Sequence, residues 1–248
     1  CADVDALGAA MLLRGVRHGD RVGILAENRY EWLLADLATA SIGAVGVPRG
    51  ADTAPAETRF ILHHSGCRLC FCENDATARE VLALAPGLPR LELVIVMAES
   101  TAIAGAEALG ELVRIGRARR EPLLAQLHAA RAAVRAADLL TIVYTSGTTA
   151  DPKGVMLTHA NVLGNAHASA TVLDVTRDDV FLSVLPAWHM YERVMDYIAL
   201  AHGGQLVYTD RRSIKDDLAA VRPTVFAAVP RIWEMLHDGL QARANRTK

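Results

Sequence analysis

The chain has 248 residues, 52% of them apolar and 22% charged, and carries a net charge of −2. That balance is globular rather than disordered, and it gives nucleic acid or an anionic membrane no electrostatic hold. Aromatics make up only 5%, which argues against a base-stacking surface, and no run of about 20 apolar residues is present to span a bilayer.

The first residues, Cys1-Ala2-Asp3-Val4-Asp5, carry acids where a secretory leader needs basic and then apolar residues. The chain starts without Met and ends on Ala242–Lys248 without a helix stop, so it reads as an excerpt of a longer protein. His18-Gly19-Asp20 is a turn signal, and Arg21-Val22-Gly23-Ile24-Leu25 follows as a strand. Asn28 is placed to cap a helix through Trp32, Leu33, Leu37 and Ala40, and Ile42 to Pro48 reads as the next strand. This β-α-β order favours a parallel sheet covered by helices. A helix from Ala56 to His64 and strands at Cys67–Cys72 and Leu91–Met97 continue the alternation. Cys67, Cys70 and Cys72 form Cys-x-x-Cys-x-Cys. No second cluster supplies a fourth metal ligand, so they read as core thiols in a reducing, cytoplasmic compartment. His63 and His64 close a helix, where a cation is favoured, and read as a cap or surface pair.

From about Ser100 to Ala137 the chain is rich in Ala, Arg, Glu and Leu and has little strand character. It reads as helices joining two β-α halves. Its basic run, Arg114, Arg117, Arg119 and Arg120, reads as a solvated face. The expected organisation is 1–99 as a first β-α subdomain, 100–137 as a helical connection and 138–248 as a second β-α subdomain. In that last part strands are expected at Leu139–Tyr144, Gly154–Leu157, Val180–Leu185, Gln205–Tyr208 and Thr224–Val229. Helices are expected at His159–Leu173 (capped by Thr158), Tyr191–His202, Ile214–Val221 and Arg231–Leu240. The fold class is therefore α/β, with doubly wound, layered subdomains.

The chemistry concentrates between two of those strands, in Tyr144-Thr145-Ser146-Gly147-Thr148-Thr149-Ala150-Asp151-Pro152-Lys153-Gly154. Thr145, Ser146, Thr148 and Thr149 offer hydroxyls. Gly147 lets the backbone turn sharply and approach a ligand, and successive N–H groups in such a turn make an anion-binding concavity. Lys153 adds a cation within reach of a terminal phosphate, and Pro152 stiffens the return. This set suits a polyphosphate. A P-loop is excluded on three counts. Pro152 stands where its second glycine belongs, Gly154 stands where its magnesium-binding hydroxyl belongs, and a strand rather than a helix is expected to follow. Ser183 and His189 do not make a hydrolase pair, because there is no Gly-x-Ser-x-Gly elbow.

Thr145-Ser146-Gly147-Thr148-Thr149-x-x-Pro152-Lys153-Gly154 resembles the signature loop of the AMP-forming adenylate enzymes, which include acyl-CoA synthetases, peptide-synthetase adenylation domains and luciferases. Ala150 departs from the family's usual Gly or Ser. Gly19-Asp20-Arg21-Val22 and Glu27-Asn28-Arg29-Tyr30-Glu31-Trp32 look like the opening of the long-chain fatty acyl-CoA synthetase branch. Leu185-Pro186-Ala187-Trp188-His189-Met190-Tyr191-Glu192-Arg193-Val194 looks like that branch's Leu-Pro-x-x-His-x-x-Glu-Arg segment, and Arg222 to Arg231 looks like its following strand and turn.

The resemblance implies part of the large N-terminal domain of such an enzyme, incomplete here. It implies ATP-dependent activation of a fatty acid to acyl-AMP and then, with coenzyme A, to acyl-CoA. Thr145, Ser146, Gly147, Thr148, Thr149, Lys153 and Gly154 would hold the β- and γ-phosphates, and Thr145 would also offer an oxygen to Mg²⁺. Lys153 and His189 are the catalytic candidates. His189 would lie near the acyl carboxylate or be a hydrogen-bonded structural histidine. Trp188 and Tyr191 would line the acyl pocket together with His189, or belong to the core. The expected partners are the fatty acid and coenzyme A, not nucleic acid, and a long-chain substrate implies proximity to the inner face of a membrane. The family's later motifs, including its Thr-Glu segment, ribose-binding aspartate, hinge and C-terminal lysine, have no counterpart before Lys248. The chain is therefore expected to be inactive alone. Alternatives are a degenerate nucleotide- or lipid-binding member, or an aryl, short-chain or aminoacyl relative.

Overall fold

A computed structural model describes residues 2–118, 120–145 and 151–246. Contacts divide the chain into two compact units, Cys1–Gly164 and Asn165–Lys248. Among the described residues, no helix is long and apolar enough to cross a membrane.

The first unit is built on seven strands: β1 (Arg21–Leu25), β2 (Val45–Arg49), β3 (Cys67–Cys72), β4 (Leu93–Val96), β5 (Ala106–Ala108), β6 (Leu139–Thr145) and β7 (Lys153–Thr158). Their order is β5-β4-β3-β1-β2-β6-β7. All neighbours are parallel except β6 and β7. Leu69, Cys70, Phe71 and Cys72 are buried in succession, so both faces of the sheet centre are covered, as in doubly wound sheets. The helices are α1 (Ala2–Leu13), α2 (Tyr30–Ser41), α3 (Pro55–Ser65), α4 (Asp75–Leu84), α5 (Leu109–Ala118) and α6 (Arg120–Ala133). Then α7 (His159–Leu173) carries the chain into the second unit.

Local chemistry accounts for many of the boundaries. Pro55 opens α3, and Gly66 ends it at φ 66°. The Asn74 side chain accepts the Ala76 and Thr77 N–H groups to start α4. Thr158 caps α7 as expected: the Asn161 N–H donates to its hydroxyl at 3.2 Å, while Asn161 Oδ1 accepts the Thr158 N–H at 3.0 Å. Asn28 is not the cap of α2. Arg29 holds that position and makes no side-chain cap bond, because a guanidinium has no acceptor for the helix N–H groups; it donates instead to Glu31, Glu73 O and Met97 O.

Other differences have tertiary causes. The strand expected from Ile42 begins at Val45, because Ile42 is the C-cap of α2 and Gly43 turns at φ 72°. The helix α1 escaped the sequence reading because Ala6 to Met11 are buried in succession, leaving no amphipathic stripe. The helix α4 buries Thr77, Ala78 and Val81 on one side. The strand β5 is three residues of weak propensity, held by pairing with β4.

Charge ties α1 to the two helices between β5 and β6. Asp3 pairs with Arg117 of α5, and Asp5 accepts from Arg131 of α6 at 2.5 Å. Arg117 is therefore an internal tie as well as a member of a basic run, while Arg114 pairs with Glu111 on its own helix. Arg119 lies outside the described residues.

The second unit has β8 (Val180–Ser183), β9 (Gln205–Tyr208) and β10 (Val225–Phe226), all parallel in the order β10-β8-β9. Its helices are α8 (Met190–His202), α9 (Ile214–Val221) and α10 (Pro230–Arg246). Val184, Leu185, Ile214 and Ile232 form its core cluster.

Close helix contact gives a stability prediction. A Cβ at Gly116 of α5 would fall 1.9 Å from the Ala6 carbonyl oxygen of α1. A Cβ at Gly164 of α7 would meet nothing within 4 Å. Gly116→Ala should destabilise the first unit by about 1–3 kcal/mol through overpacking, whereas Gly164→Ala should stabilise its exposed helix by about 0.5–1 kcal/mol. Urea unfolding of both variants beside the parent checks the opposite signs.

Candidate functional site

The hydroxyl-rich loop hangs from an antiparallel strand pair. Thr145 ends β6, Lys153 begins β7, and the two are Cα partners; Tyr144 is the partner of Gly154. Ser146, Gly147, Thr148, Thr149 and Ala150 lie outside the described residues. Directly opposed residues share a face of the sheet, and neighbours along a strand alternate. Thr145 and Lys153 therefore share one face, and both are exposed. Tyr144 and Gly154 share the other, with Tyr144 at 2% exposure in the core cluster of Ile61, Leu62, Cys67 and Cys70. The element after the loop is a strand, so the third argument against a P-loop holds.

Gly154 has a packing reason as well. A Cβ there would stand 2.9 Å from Ile142 Cγ2 and 3.2 Å from Tyr144 Cζ. The absent side chain leaves room for the Tyr144 ring.

The strand order β5-β4-β3-β1-β2 reverses direction at β1/β3, the place where doubly wound sheets open a crevice. Here that crevice is strapped by the chain itself. Arg29 donates to the carbonyls of Glu73 and Met97, each at 3.2 Å, and the Glu27 N–H donates to Glu73 Oε2 at 2.7 Å. The candidate loop lies on the other side of β2, in an appended hairpin.

Cys67, Cys70 and Cys72 are buried free thiols. Burial pushes the Cys67 thiol up to about 12, and the neighbouring Cys72, with burial, raises Cys70. Thiols this resistant to ionisation are poor nucleophiles. Among the described residues, no group of three His, Cys, Asp or Glu is placed to hold a metal ion.

In the second unit, the chain leaves β8 at Ser183, turns through Leu185 to His189 and enters α8. The His189 N–H donates to Pro186 O at 2.9 Å, and His189 occupies the N-cap position of α8 in extended backbone (φ −89°, ψ 139°). Its ring lies against Trp188, with centroids 4.1 Å apart. His189 and Tyr191 are exposed and Trp188 is half-buried, so Tyr191 is not a core residue. Trp188, His189 and Tyr191 are thus gathered at one helix entrance.

Beneath that entrance lies a polar layer that sequence reasoning used only as a motif. Glu192, Arg193 and Asp196 are all buried. Glu192 Oε2 accepts the Leu185 N–H at 3.0 Å, bracing the turn. Burial raises its carboxyl from the usual 4.5 to about 7, against the opposing effect of hydrogen bonds from Ser183 and Leu185. Arg193 Nε donates to Tyr197 OH at 3.2 Å, and its guanidinium lies over the Tyr197 ring. The signal was present in the sequence. Apolar Val194, Met195, Tyr197, Ile198 and Ala199 leave no outward face in that stretch, so its charges must go inside.

The family described as AMP-binding enzyme matches residues 2–248. The chain belongs to that family. It is 34% identical over 242 residues to the Arabidopsis thaliana protein named long chain acyl-CoA synthetase 7, peroxisomal, covering 95% of this chain and 34% of that one. It is 33% identical over 245 residues to Mycobacterium tuberculosis long-chain-fatty-acid–CoA ligase FadD15, covering 97% and 40%. Among solved structures, a long-chain-fatty-acid-CoA ligase (FadD1) from Archaeoglobus fulgidus superposes with a TM-score of 0.82 at 21% identity, over 97% of this chain and 46% of that one. The chain thus spans roughly a third of the length of the first of these relatives. The superposition bears out the α/β fold class, and the sequence relatives bear out the resemblance to the long-chain branch.

The raised Glu192 carboxyl predicts how stability depends on pH. Between pH 4.5 and about 7 the folded state keeps a proton that the unfolded chain has lost. This contribution is fully present below 4.5 and is lost as pH rises through 7. Glu192→Gln keeps an acceptor for Leu185 and cannot ionise. Its stability relative to the parent should therefore improve from pH 5 to pH 8, as read by urea unfolding with tryptophan fluorescence.

Proposed function

We propose that this chain carries the polyphosphate grip and the carboxylate-side turn of an ATP-dependent, AMP-forming long-chain fatty acid–CoA ligase. The observation that supports it most directly is the pairing of Thr145 with Lys153, which puts a hydroxyl residue and a lysine opposite each other at the two ends of the loop. The long-chain names of the sequence relatives support the substrate class.

In the proposed reaction the fatty acid carboxylate attacks the α-phosphorus of ATP and pyrophosphate leaves. The thiol of coenzyme A then displaces AMP from the acyl-adenylate. Hydroxyls and N–H groups of Thr145 to Thr149 hold the β- and γ-phosphate oxygens. Lys153 stabilises the charge that collects on departing pyrophosphate, a gain largest in the transition state. Thr145 presents a hard oxygen of the kind Mg²⁺ takes alongside phosphates and water; the ion supplies charge neutralisation when bound. His189, exposed on its helix entrance, meets the acyl carboxylate, with Trp188 and Tyr191 as apolar wall.

Calorimetry with Mg²⁺ and ATP, ADP or AMP tests the grip. Affinity should fall in that order as phosphates are removed. Lys153→Ala should weaken ATP by about 10- to 100-fold, the loss expected for one charge-assisted contact, and should leave AMP unchanged. Equal ATP affinity for parent and variant would remove Lys153 from the phosphate role.

A further inference from the structure

We propose that His64 and Arg49 are positioning residues that brace the stem of the loop through Tyr144, one on its side chain and one on its backbone. The inference rests on the polyphosphate reading and adds to it two residues outside the loop.

The Tyr144 hydroxyl lies 2.7 Å from His64 Nδ1. The His64 ring is itself fixed, stacked on Phe60 with centroids 5.3 Å apart, and Phe60 meets Tyr144 edge-on at 6.4 Å. His64 lies exposed in the last turn of α3, as its place in the sequence leads one to expect, and it has this partner besides. From the other side, Arg49 at the end of β2 donates through Nη1 to the Tyr144 carbonyl at 3.1 Å. That guanidinium is held by Glu57 of α3 at 2.6 Å.

Tyr144 is thus fixed at two points by one helix and one strand. Its carbonyl carbon is bonded to the nitrogen of Thr145. A backbone carbonyl held by a fixed guanidinium cannot rotate freely, so the plane of the Tyr144–Thr145 peptide is set. The side chain of Tyr144 cannot slip outward without losing its hydroxyl partner and its buried ring contacts. A one-residue slip of register would send Thr145 and Lys153 to the wrong face. Gly154 completes the arrangement by leaving space for the Tyr144 ring. Positioning of this kind is where much of a phosphoryl-handling site's efficiency resides.

The test combines ATP calorimetry with amide hydrogen exchange on Tyr144→Phe, His64→Ala, their double variant and Arg49→Ala, with Lys153→Ala as reference. Each single change should weaken ATP by about 3- to 10-fold, the range of one hydrogen bond. The Tyr144→Phe/His64→Ala double should be no worse than His64→Ala alone, since that change already removes the shared bond along with the Phe60 stack. Exchange should quicken at the amides around Thr145 and Lys153 while β3 and β4 stay protected. His64→Asn, which returns a side-chain hydrogen-bonding group, should recover part of the affinity. Multiplying effects in the double variant, or exchange that rises evenly across the unit, would reduce the pair to ordinary fold stability and overturn the brace. So would unchanged exchange at the hairpin ends. If Lys153→Ala leaves ATP binding untouched, the grip itself is refuted. Exchange then decides the brace alone: local loss of protection sustains it, and unchanged rates reject it.

Discussion

Strands alternate their side chains, and in this chain that alternation separates support from function within two residues. Tyr144 faces inward among Ile61, Leu62 and the buried cysteines, and Thr145 faces outward beside Lys153. The proposed phosphate role of Thr145 and Lys153 depends on that register, since a slip by one would exchange the two sets. Burial of the Tyr144 ring therefore does more than fill a core. Leaving the register would mean exposing an aromatic ring and breaking its hydroxyl bond.

The same constraint explains where the hairpin is attached. The strand β6 is parallel to β2, with Thr141 opposite Gly46, and the buried Thr141 hydroxyl donates to the Gly46 carbonyl at 2.8 Å. Only the last strand, β7, is antiparallel. At the switch point of the doubly wound part, Arg29, Glu27 and Glu73 are joined by hydrogen bonds. The proposed phosphate loop belongs instead to the added hairpin, whose two ends are held by a strand ladder rather than by a helix N-terminus.

The second unit meets its own constraint with buried charge. A helix stretch buried from Glu192 to Ala199 has no solvent face for Glu192, Arg193 and Asp196. Ionised groups are held inside proteins by partners or give up their charge. Glu192 does both: it accepts the Leu185 N–H and holds its proton up to about pH 7. It fixes the turn that carries Trp188 and His189, so the polar layer supports the exposed residues above it.

Much of this was legible in the sequence. Strands at Arg21–Leu25, Cys67–Cys72 and Gln205–Tyr208, and helices at His159–Leu173 and Ile214–Val221, stand where periodicity and capping put them, because their signals are local. The polyphosphate reading of the loop rests on local signals too, since its hydroxyls, glycine and lysine are nearly consecutive residues. What the sequence could not supply were pairings between distant segments. His64 looks like a helix cap until the sheet brings Tyr144 to it across 80 positions. Arg49 carries no motif until β6 lies beside β2. The packing need at Gly154, beside the Tyr144 ring, shows only once β6 and β7 are paired. Local composition determined what the loop could bind; long-range packing decided which residues hold it in place.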